Sequence, residues 1–396
     1  MSAVREVRLG DVVKVIGGGT PSRANPAYYG GDIPWVTPKD MKSWSIVGAQ
    51  VNITREGLDN SSARMAPENS ILVVVRSGVL KHTVPIGLNR VPVAINQDMK
   101  AVICGEGVHP DYLARALKAR SGEILSWVRA TTADNFPIDK LKELKVVLPP
   151  LAEQRRIADV LDRVDTLRAW RQQAVAELDA LASSVFTELL DEVLNSFGCT
   201  SRNLGDVADI ASGITKGRKA PAGSVREVPY LAVANVQDRR LDLSGIKYIE
   251  ATDGEVERYR LRMNDLVLTE GGDPDKLGRG SLWRCELPEA IHQNHIFRVR
   301  IDDAGRVHPV YLNWLISSAY GKRYFLRSAK QTTGIASINM SQLRRFPVAV
   351  PDYDVQKKFA EQVDGIERSK AVQRRALGEL DALFASLQHR AFRGEL

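Results

Sequence analysis

The chain repeats itself from one end to the other. Leu9-Gly10-Asp11-Val12 returns as Leu204-Gly205-Asp206-Val207, and Ile33-Pro34-Trp35-Val36 returns as Val228-Pro229-Tyr230-Leu231, both 195 residues later. Asn69 with its apolar run Ile71-Leu72-Val73 returns as Asn264 with Leu266-Val267-Leu268. The spacing then widens through His109-Pro110/His308-Pro309 and Thr131-Thr132/Thr332-Thr333. It reaches 202 at Glu177-Leu178-Asp179-Ala180-Leu181, which recurs unchanged as Glu379-Leu380-Asp381-Ala382-Leu383. A repeat this long is a whole domain with its connecting segment used twice, not a short solenoid unit. The landmarks are shared while the residues between them differ, as expected of two similar readers of two different things.

Texture divides each copy in two. Residues 1–150 mix short β-type runs, such as Ser70-Ile71-Leu72-Val73-Val74-Val75, with Gly, Pro and Asn turns. From Leu151 to Phe197 there is neither Pro nor Gly, and Ala, Leu, Arg, Glu and Gln dominate. These are strong helix formers, and Pro149-Pro150 is a helix-start signal. The spacing predicts a long helix over 151–197, a second β-rich domain over 198–350 and a second long helix over 351–396. One heptad frame places Val160, Val164, Leu167, Ala174, Leu178, Leu181 and Val185 on a seam interrupted at Arg171. In the second helix the frame holds Ile366, Ala376, Leu380, Leu383 and Leu387, with Gln373 at the position of Arg171. Neither helix can bury its stripe alone. Helix two starts at the second domain, so it must run back along helix one. The expected fold is α+β, with two β-rich domains separated by two long helices packed as an antiparallel coiled coil, in a pseudo-two-fold repeat.

The 396 residues carry a net charge of +7, which permits a nucleic-acid partner without proving one. No run of 18 apolar residues suggests a membrane span, and Met1-Ser2-Ala3-Val4-Arg5-Glu6 lacks a signal-peptide core. Cys104, Cys199 and Cys285 form no CxxC pair. That pattern fits a reducing cytoplasm with neither a disulfide framework nor a zinc site.

Enzyme signatures are missing. Gly213-Ile214-Thr215-Lys216-Gly217-Arg218-Lys219 has the wrong spacing for a phosphate loop, and Gly17-Gly18-Gly19 lacks the later glycine of a dinucleotide fingerprint. Pro149-Pro150 does not sit in an adenine-methyltransferase motif, and His292 and His295 lack an HExxH context. Polar clusters are better candidates for DNA contact. In the first copy they are Thr20, Ser22 and Arg23 after a glycine run, then Arg76, Lys81 and His82, then Asn96 and Gln97. In the second copy they are Lys216, Arg218 and Lys219, then Lys276 and Arg279, then Gln293, Asn294 and His295. Basic side chains near small residues suit phosphates, whereas Asn and Gln amides can bond adenine edges bidentately. The alternatives are an enzyme with an unfamiliar active site and a coiled-coil scaffold without DNA specificity.

The helix openings Leu148-Pro149-Pro150-Leu151-Ala152-Glu153-Gln154-Arg155-Arg156-Ile157 and Val350-Pro351-Asp352-Tyr353-Asp354-Val355-Gln356 resemble the conserved regions of type I restriction–modification specificity subunits. So does the terminal Ala391-Phe392-Arg393-Gly394-Glu395-Leu396. Gly19-Thr20-Pro21-Ser22 with Ile33-Pro34-Trp35, and Val228-Pro229-Tyr230-Leu231 with Ala234-Asn235-Val236, resemble openings of two classes of their target-recognition domains. One departure is Asp352-Tyr353-Asp354, where the family usually has Pro-Leu-x-Glu. The resemblance implies a non-catalytic subunit that reads a bipartite, asymmetric double-stranded DNA site. It implies two modification (methyltransferase) subunits as partners, with restriction subunits in the full complex. S-adenosylmethionine, ATP and Mg2+ would belong to those partners and no cofactor to this chain. It also implies docking through the helix openings, at Gln154, Arg155, Gln356 and Lys357.

Overall fold

The computed structural model describes residues 4–129, 134–195, 200–218, 224–272, 277–302, 306–332 and 335–395. The chain forms two compact units, one of Met1–Gln173 with Gln373–Leu396 and one of Ala174–Val372. The division passes through both long helices, so each unit holds one globular part and half of each helix.

In the first unit, β1 (Arg5–Arg8) enters and β8 (Lys145–Leu148) leaves as an antiparallel pair, with Arg5 opposite Leu148. Between them lies a five-stranded sheet in the order β2 (Val13–Gly17), β7 (Met99–Cys104), β4 (Ile71–Val74), β5 (Ile86–Asn89) and the short Ser45–Ile46 strand at the edge. A second sheet is built on β3 (Tyr29–Val36), which runs parallel to β6 (Val93–Ile95). Strand β4 is apolar and buried throughout, because its two faces serve two cores. Ile71 and Val73 face Tyr112, Leu113 and Leu117 of α1 (Pro110–Ala119), while Leu72 and Val74 pack with Val36 and Ile95. Side chains alternate with period two along a strand, which is why a continuous apolar run appears where both faces are covered.

The second unit repeats this plan. Strands β9 (Thr200–Asn203) and β16 (Pro347–Val350) form the entry pair. The main sheet runs β10 (Ala208–Ser212), β15 (Ile296–Ile301), β12 (Leu266–Thr269), β13 (Gly280–Leu282). β11 (Arg226–Leu231) runs parallel to β14 (Ile291–His292). Leu266 and Leu268 face the core that includes α3 (Pro309–Ser317), and Val267 faces Leu231 and Trp283. Ahead of β4 and β12, Asn69 and Asn264 hold φ of 62° and 68°. Asparagine tolerates this left-handed region better than most residues, and here its side chain also accepts from Arg90 and Arg284, at 2.9 and 2.7 Å.

The long helices are α2 (Leu151–Asn195) and α4 (Tyr353–Ala391). Their segments run antiparallel within each unit. In the first, Arg168 bonds Asp381 at 2.6 Å and Arg171 bonds Gln373 at 2.7 Å. In the second, Lys370 meets Asp179 at 2.5 Å and the Phe186 and Phe359 rings lie 5.3 Å apart. Arg168–Asp381 and Lys370–Asp179 are the same bridge made twice.

The seam corrects the heptad reading. Leu161, Val164, Ala182 and Phe186 are buried, whereas Leu167, Leu181 and Leu383 are 40%, 50% and 46% exposed. The true frame shares Val164, Arg171, Leu178 and Val185 with the predicted one but takes positions 161, 168, 175 and 182 in place of 160, 167, 174 and 181. Counting apolar residues picks the wrong face because the middle of the seam is polar. Lys370 is 5% exposed there, its charge met by Asp179 and Glu367.

Both helices are fastened to their globular parts in the same way. The Gln154 amide accepts from His109 N at 2.8 Å and donates to the carbonyls of Gly107 and Pro149 at 3.0 and 2.8 Å. Gln356 accepts from His308 N at 2.9 Å and donates to Arg306 and Pro351 at 2.9 and 2.8 Å. Nearby, the Tyr112 and Tyr311 hydroxyls donate to the carbonyls of Val147 and Ala349. The docking role implied for Gln154 and Gln356 is therefore corrected. Both are buried, at 1% and 0% exposure, and their side chains are spent inside the fold. Arg155 and Lys357 beside them are exposed.

An arginine–tryptophan contact recurs with its members exchanged. The Arg115 guanidinium of α1 lies 4.8 Å from the Trp44 ring centroid and bonds Asp162 and Asp165 of α2, at 3.0 and 2.8 Å. In the second unit Trp314 occupies the helix position, and Arg239 lies 4.0 Å over its ring.

Candidate nucleic-acid interface

In the first unit the end of β2 passes close to the end of β6. A Cβ on Gly18 would lie 2.0 Å from the Ile95 carbonyl oxygen, so only glycine fits. Gly19 N bonds that carbonyl at 3.0 Å, and Trp35 Nε1 donates to Gly19 O at 3.0 Å. This approach carries Thr20 to the turn Asn96–Asp98, where its hydroxyl donates to Gln97 Oε1. The same turn is fixed from β4, since Val75 N and Arg76 N both donate to Asp98 O, at 2.9 and 3.2 Å. The Arg76 side chain then pairs through Nε with Asp98 Oδ1 at 2.6 Å. The result is an open cleft of about 770 Å³ that brings together Thr20, Arg23, Arg76, Asn96 and Gln97 from three separate stretches of sequence. Trp35, Thr37, Lys39, Asp40, Gln50, Ser77 and Asp98 also line it.

The roles within this set are unequal. Asn96 is 5% exposed and accepts from Asp98 N at 3.1 Å while its amide donates to Asp98 Oδ2 at 3.2 Å. It fastens the turn and has no free edge for a base, which corrects the expectation for that residue. Gln97 is exposed and retains its amide donors. Ser22, Lys81 and His82 are exposed but do not line the cleft. Lys39 and Gln50 were missed. They stand in unremarkable local sequence, and only the fold gathers them.

The second unit places its candidates on the same scaffold. A Cβ on Gly213 would lie 1.9 Å from the His292 carbonyl oxygen, Ile214 N bonds that carbonyl at 2.8 Å, and Gln293 N bonds Leu231 O at 3.0 Å. In the ladders Ile95 stands opposite Val36 as His292 stands opposite Leu231, so Asn96, Gln97 and Asp98 correspond to Gln293, Asn294 and His295. Gln293 and Asn294 are half-buried, and His295 is exposed with Nδ1 2.7 Å from Glu270 Oε2. Lys216 is exposed beside Gly217, which has φ of 75°, in a recess of about 390 Å³ also lined by Tyr248. Tyr248 was not anticipated. Its ring is 59% exposed, an unusual state for an aromatic side chain.

Arg218 is less available than the sequence implied. It forms a fork with Glu255 at 2.8 and 2.9 Å, which raises its pKa further above the usual arginine value and depresses that of Glu255. Arg279 donates to Gln237 at 3.1 Å. Lys219 and Lys276 lie outside the described residues. His292 is buried, its Nδ1 is 3.0 Å from Tyr259 O, and burial lowers its pKa to about 4. It is a neutral core histidine.

Residues 1–179 match the family described as the type I restriction modification DNA specificity domain. This first part of the chain thus carries a domain of the type I restriction–modification specificity family. Over 162 residues it is 40% identical to the EcoR124I/EcoR124II specificity subunit of Escherichia coli, covering 40% of each chain. Over 254 residues it is 27% identical to the MjaIX specificity subunit of Methanocaldococcus jannaschii, covering 58% of this chain and 57% of that one. These alignments span about half of the relatives' lengths or less. Two solved structures share the specificity-subunit fold over nearly the whole chain. The S subunit from M. genitalium has a TM-score of 0.56 at 13% identity, covering 98% of this chain and 96% of that one. A chain from work on complex assembly and conformational transition of the type I R–M system has a TM-score of 0.57 at 17% identity, covering 99% and 98%.

Proposed function

We propose that this chain is the DNA-reading subunit of a type I restriction–modification complex. The observation that carries the reading is the doubled scaffold. One backbone arrangement, pinned by Gly18 in one copy and Gly213 in the other, presents two different sets of polar side chains at the same turn. Two like scaffolds with unlike readers suit a bipartite, asymmetric site in double-stranded DNA. Arg23 and Lys39 in the first copy, and Lys216 in the second, supply the phosphate-facing charge. Gln97, its second-copy counterpart Asn294 and the neighbouring Gln293 supply base-edge amides.

The chain carries out no chemistry itself in this reading. Two modification subunits dock on the helix pair, with Arg155 and Lys357 at its two openings, and bring S-adenosylmethionine for adenine methylation. Restriction subunits bring ATP- and Mg2+-dependent cleavage. The complex works in the cytoplasm. No helix among the described residues is long and apolar enough to cross a membrane.

The test is selection of the purified full chain, alone and with its modification subunit, on a random duplex library. The expected result is enrichment of two unlike short half-sites at fixed spacing. Exchange of residues 198–350 for another recognition domain should change one half-site only. Methyl transfer by the rigorously purified single chain, or both half-sites changing together, would overturn the proposal.

A further inference from the structure

Each copy of the scaffold carries, at its reading turn, a carboxylate that a DNA-facing surface has reason to avoid. In the first unit it is Asp98, beside Arg76 in the cleft wall. In the second it is Glu270, against His295. Val75 N and Arg76 N bond the Asp98 carbonyl, and Glu270 N bonds the His295 carbonyl at 3.0 Å. By ladder register Asp98 corresponds to His295, and Glu270 to Val75, one residue before Arg76. In each copy the turn residue is paired with a side chain from the end of the neighbouring strand, with the acid on the turn in the first and on the strand end in the second.

We infer that Asp98 and Glu270 are positioning residues that hold Arg76 and His295 in fixed orientation as base readers, one for each half-site. This rests on the proposed reading of DNA by the two copies. Arg76 is 48% exposed at its side chain, and Asp98 engages only its Nε. Both terminal nitrogens remain free, and a guanidinium fixed at Nε offers a two-donor edge that matches guanine O6 and N7. Asp98 is in turn held by the Asn96 amide at 3.2 Å, so the support has its own support. In the second copy the side chain of His295 is 58% exposed. With Nδ1 held against Glu270, the ring is fixed with its Nε2 edge directed away from the pair. The two copies thus present different reading groups, a guanidinium in one and an imidazole in the other, which makes the half-sites chemically distinct.

Two roles for these acids give opposite results on substitution. A carboxylate that only faces DNA repels phosphate, so Asp98→Ala should strengthen binding to every sequence alike and leave discrimination unchanged. A positioning carboxylate should instead cost discrimination at one base pair of the first half-site. A good bidentate contact contributes about 1–3 kcal/mol of discrimination. The expected loss is therefore about tenfold in the ratio of best to substituted site, with the second half-site untouched. Glu270→Ala should do the same in the second half-site alone.

The experiment measures the full-length chain on duplexes carrying each single base-pair change, together with the salt slope and melting temperature of each variant. Arg76→Lys keeps the charge and loses the fork, so it should lose the same base-pair preference at unchanged salt slope. Asp98→Ala added to Arg76→Ala should cost no further discrimination. Asp98→Glu should restore part of it. Full discrimination retained by Asp98→Ala and Glu270→Ala overturns this inference and leaves DNA reading standing. A wild-type chain that shows no sequence preference overturns both.

Discussion

Replacing Gln154 by alanine should unfasten α2 from the first globular part. The side chain makes three hydrogen bonds to backbone groups, at 2.8, 3.0 and 2.8 Å, from a position 1% exposed. A buried hydrogen bond contributes about 1 kcal/mol net, and partners left unsatisfied cost more. The expected loss is about 3 kcal/mol, which is a large share of a typical domain's stability. Gln154→Leu refills the space and should lose about as much, because the bonds and not the volume are at stake. Gln154→Glu is the sharper probe. Its carboxylate can still accept from His109 N, but its second oxygen would face the Gly107 and Pro149 carbonyls that now accept from the amide. That contact raises the carboxyl pKa in the folded state above its unfolded value of about 4.3. A raised acid loses stability as pH rises through its folded pKa, so this variant should be least damaged near pH 4 and worst at neutral pH. Urea unfolding of the full chain, with amide exchange read at His109, measures both effects. Gln356→Ala should act in the same way on the second unit, at His308. Unfolding within about 0.5 kcal/mol of wild type with His109 protection intact would refute the fastening argument. If methyltransferase capture failed in the same variant, the docking role would be restored to this residue.

Three further outcomes follow from the same geometry. Arg115→Leu should cost about 2–3 kcal/mol, from a lost cation–π contact and two charge-assisted bonds. Exchanging both members, Trp44→Arg with Arg115→Trp, should recover part of that loss in a double-mutant cycle, since the second unit shows the reversed pair packing; strict additivity would deny the coupling. His292 is held neutral by burial at a pKa of about 4, below its unfolded value of about 6.5. Its contribution is complete above about pH 6.5 and is lost as pH falls toward 4, about 3 kcal/mol in all. Unfolding of the second unit followed from pH 7.5 to 4.5 should show that slope, and His292→Gln should flatten it; an equally steep variant removes His292 as the cause. Inserting four residues into both helices near Ala174 and Ala376 adds about 6 Å of helix, or about two base pairs. The spacer between half-sites should lengthen accordingly, with some loss of activity from rotated faces, and an unchanged spacer in an active variant counts against the helices as a ruler.

What the sequence made legible is governed by where apolar residues suffice. The repeat, the β-rich texture, the helix starts at Leu151 and near Pro351 and the buried run at Ile71–Val74 all follow from patterning, and the structure has them. The helix seam was misplaced by one position because Arg168 and Lys370 sit where an apolar count expects leucine, their charges met by Asp381 and Asp179 across the pair. Nothing in a local window marks those acids as partners. Gln154 and Gln356 have the same difficulty, because a polar residue at a helix opening looks exposed until its backbone partners are known. Within the cleft, glycines and amides flagged the right turns. The separation of Gln97, exposed, from Asn96, consumed, depends on an Asx turn that the pair of letters does not disclose.

The two copies separate what the scaffold needs from what a reader needs. Residues tied to backbone geometry recur in kind: Gly18 and Gly213 by close approach, Asn69 and Asn264 by positive φ, and Tyr112 and Tyr311, Gln154 and Gln356 by bonds to backbone groups. A backbone hydrogen bond has fixed geometry, so only one or two side chains can make it, and identity persists. Side-chain pairs obey a weaker rule, since only complementarity must be kept. Arg115 with Trp44 becomes Trp314 with Arg239, and the Arg76–Asp98 pair gives way to a Glu270–His295 pair one strand position away. A surface built in this way can change the chemistry it presents while its strands keep their register. That is the physical condition for one fold to read two unlike sequences from a single chain.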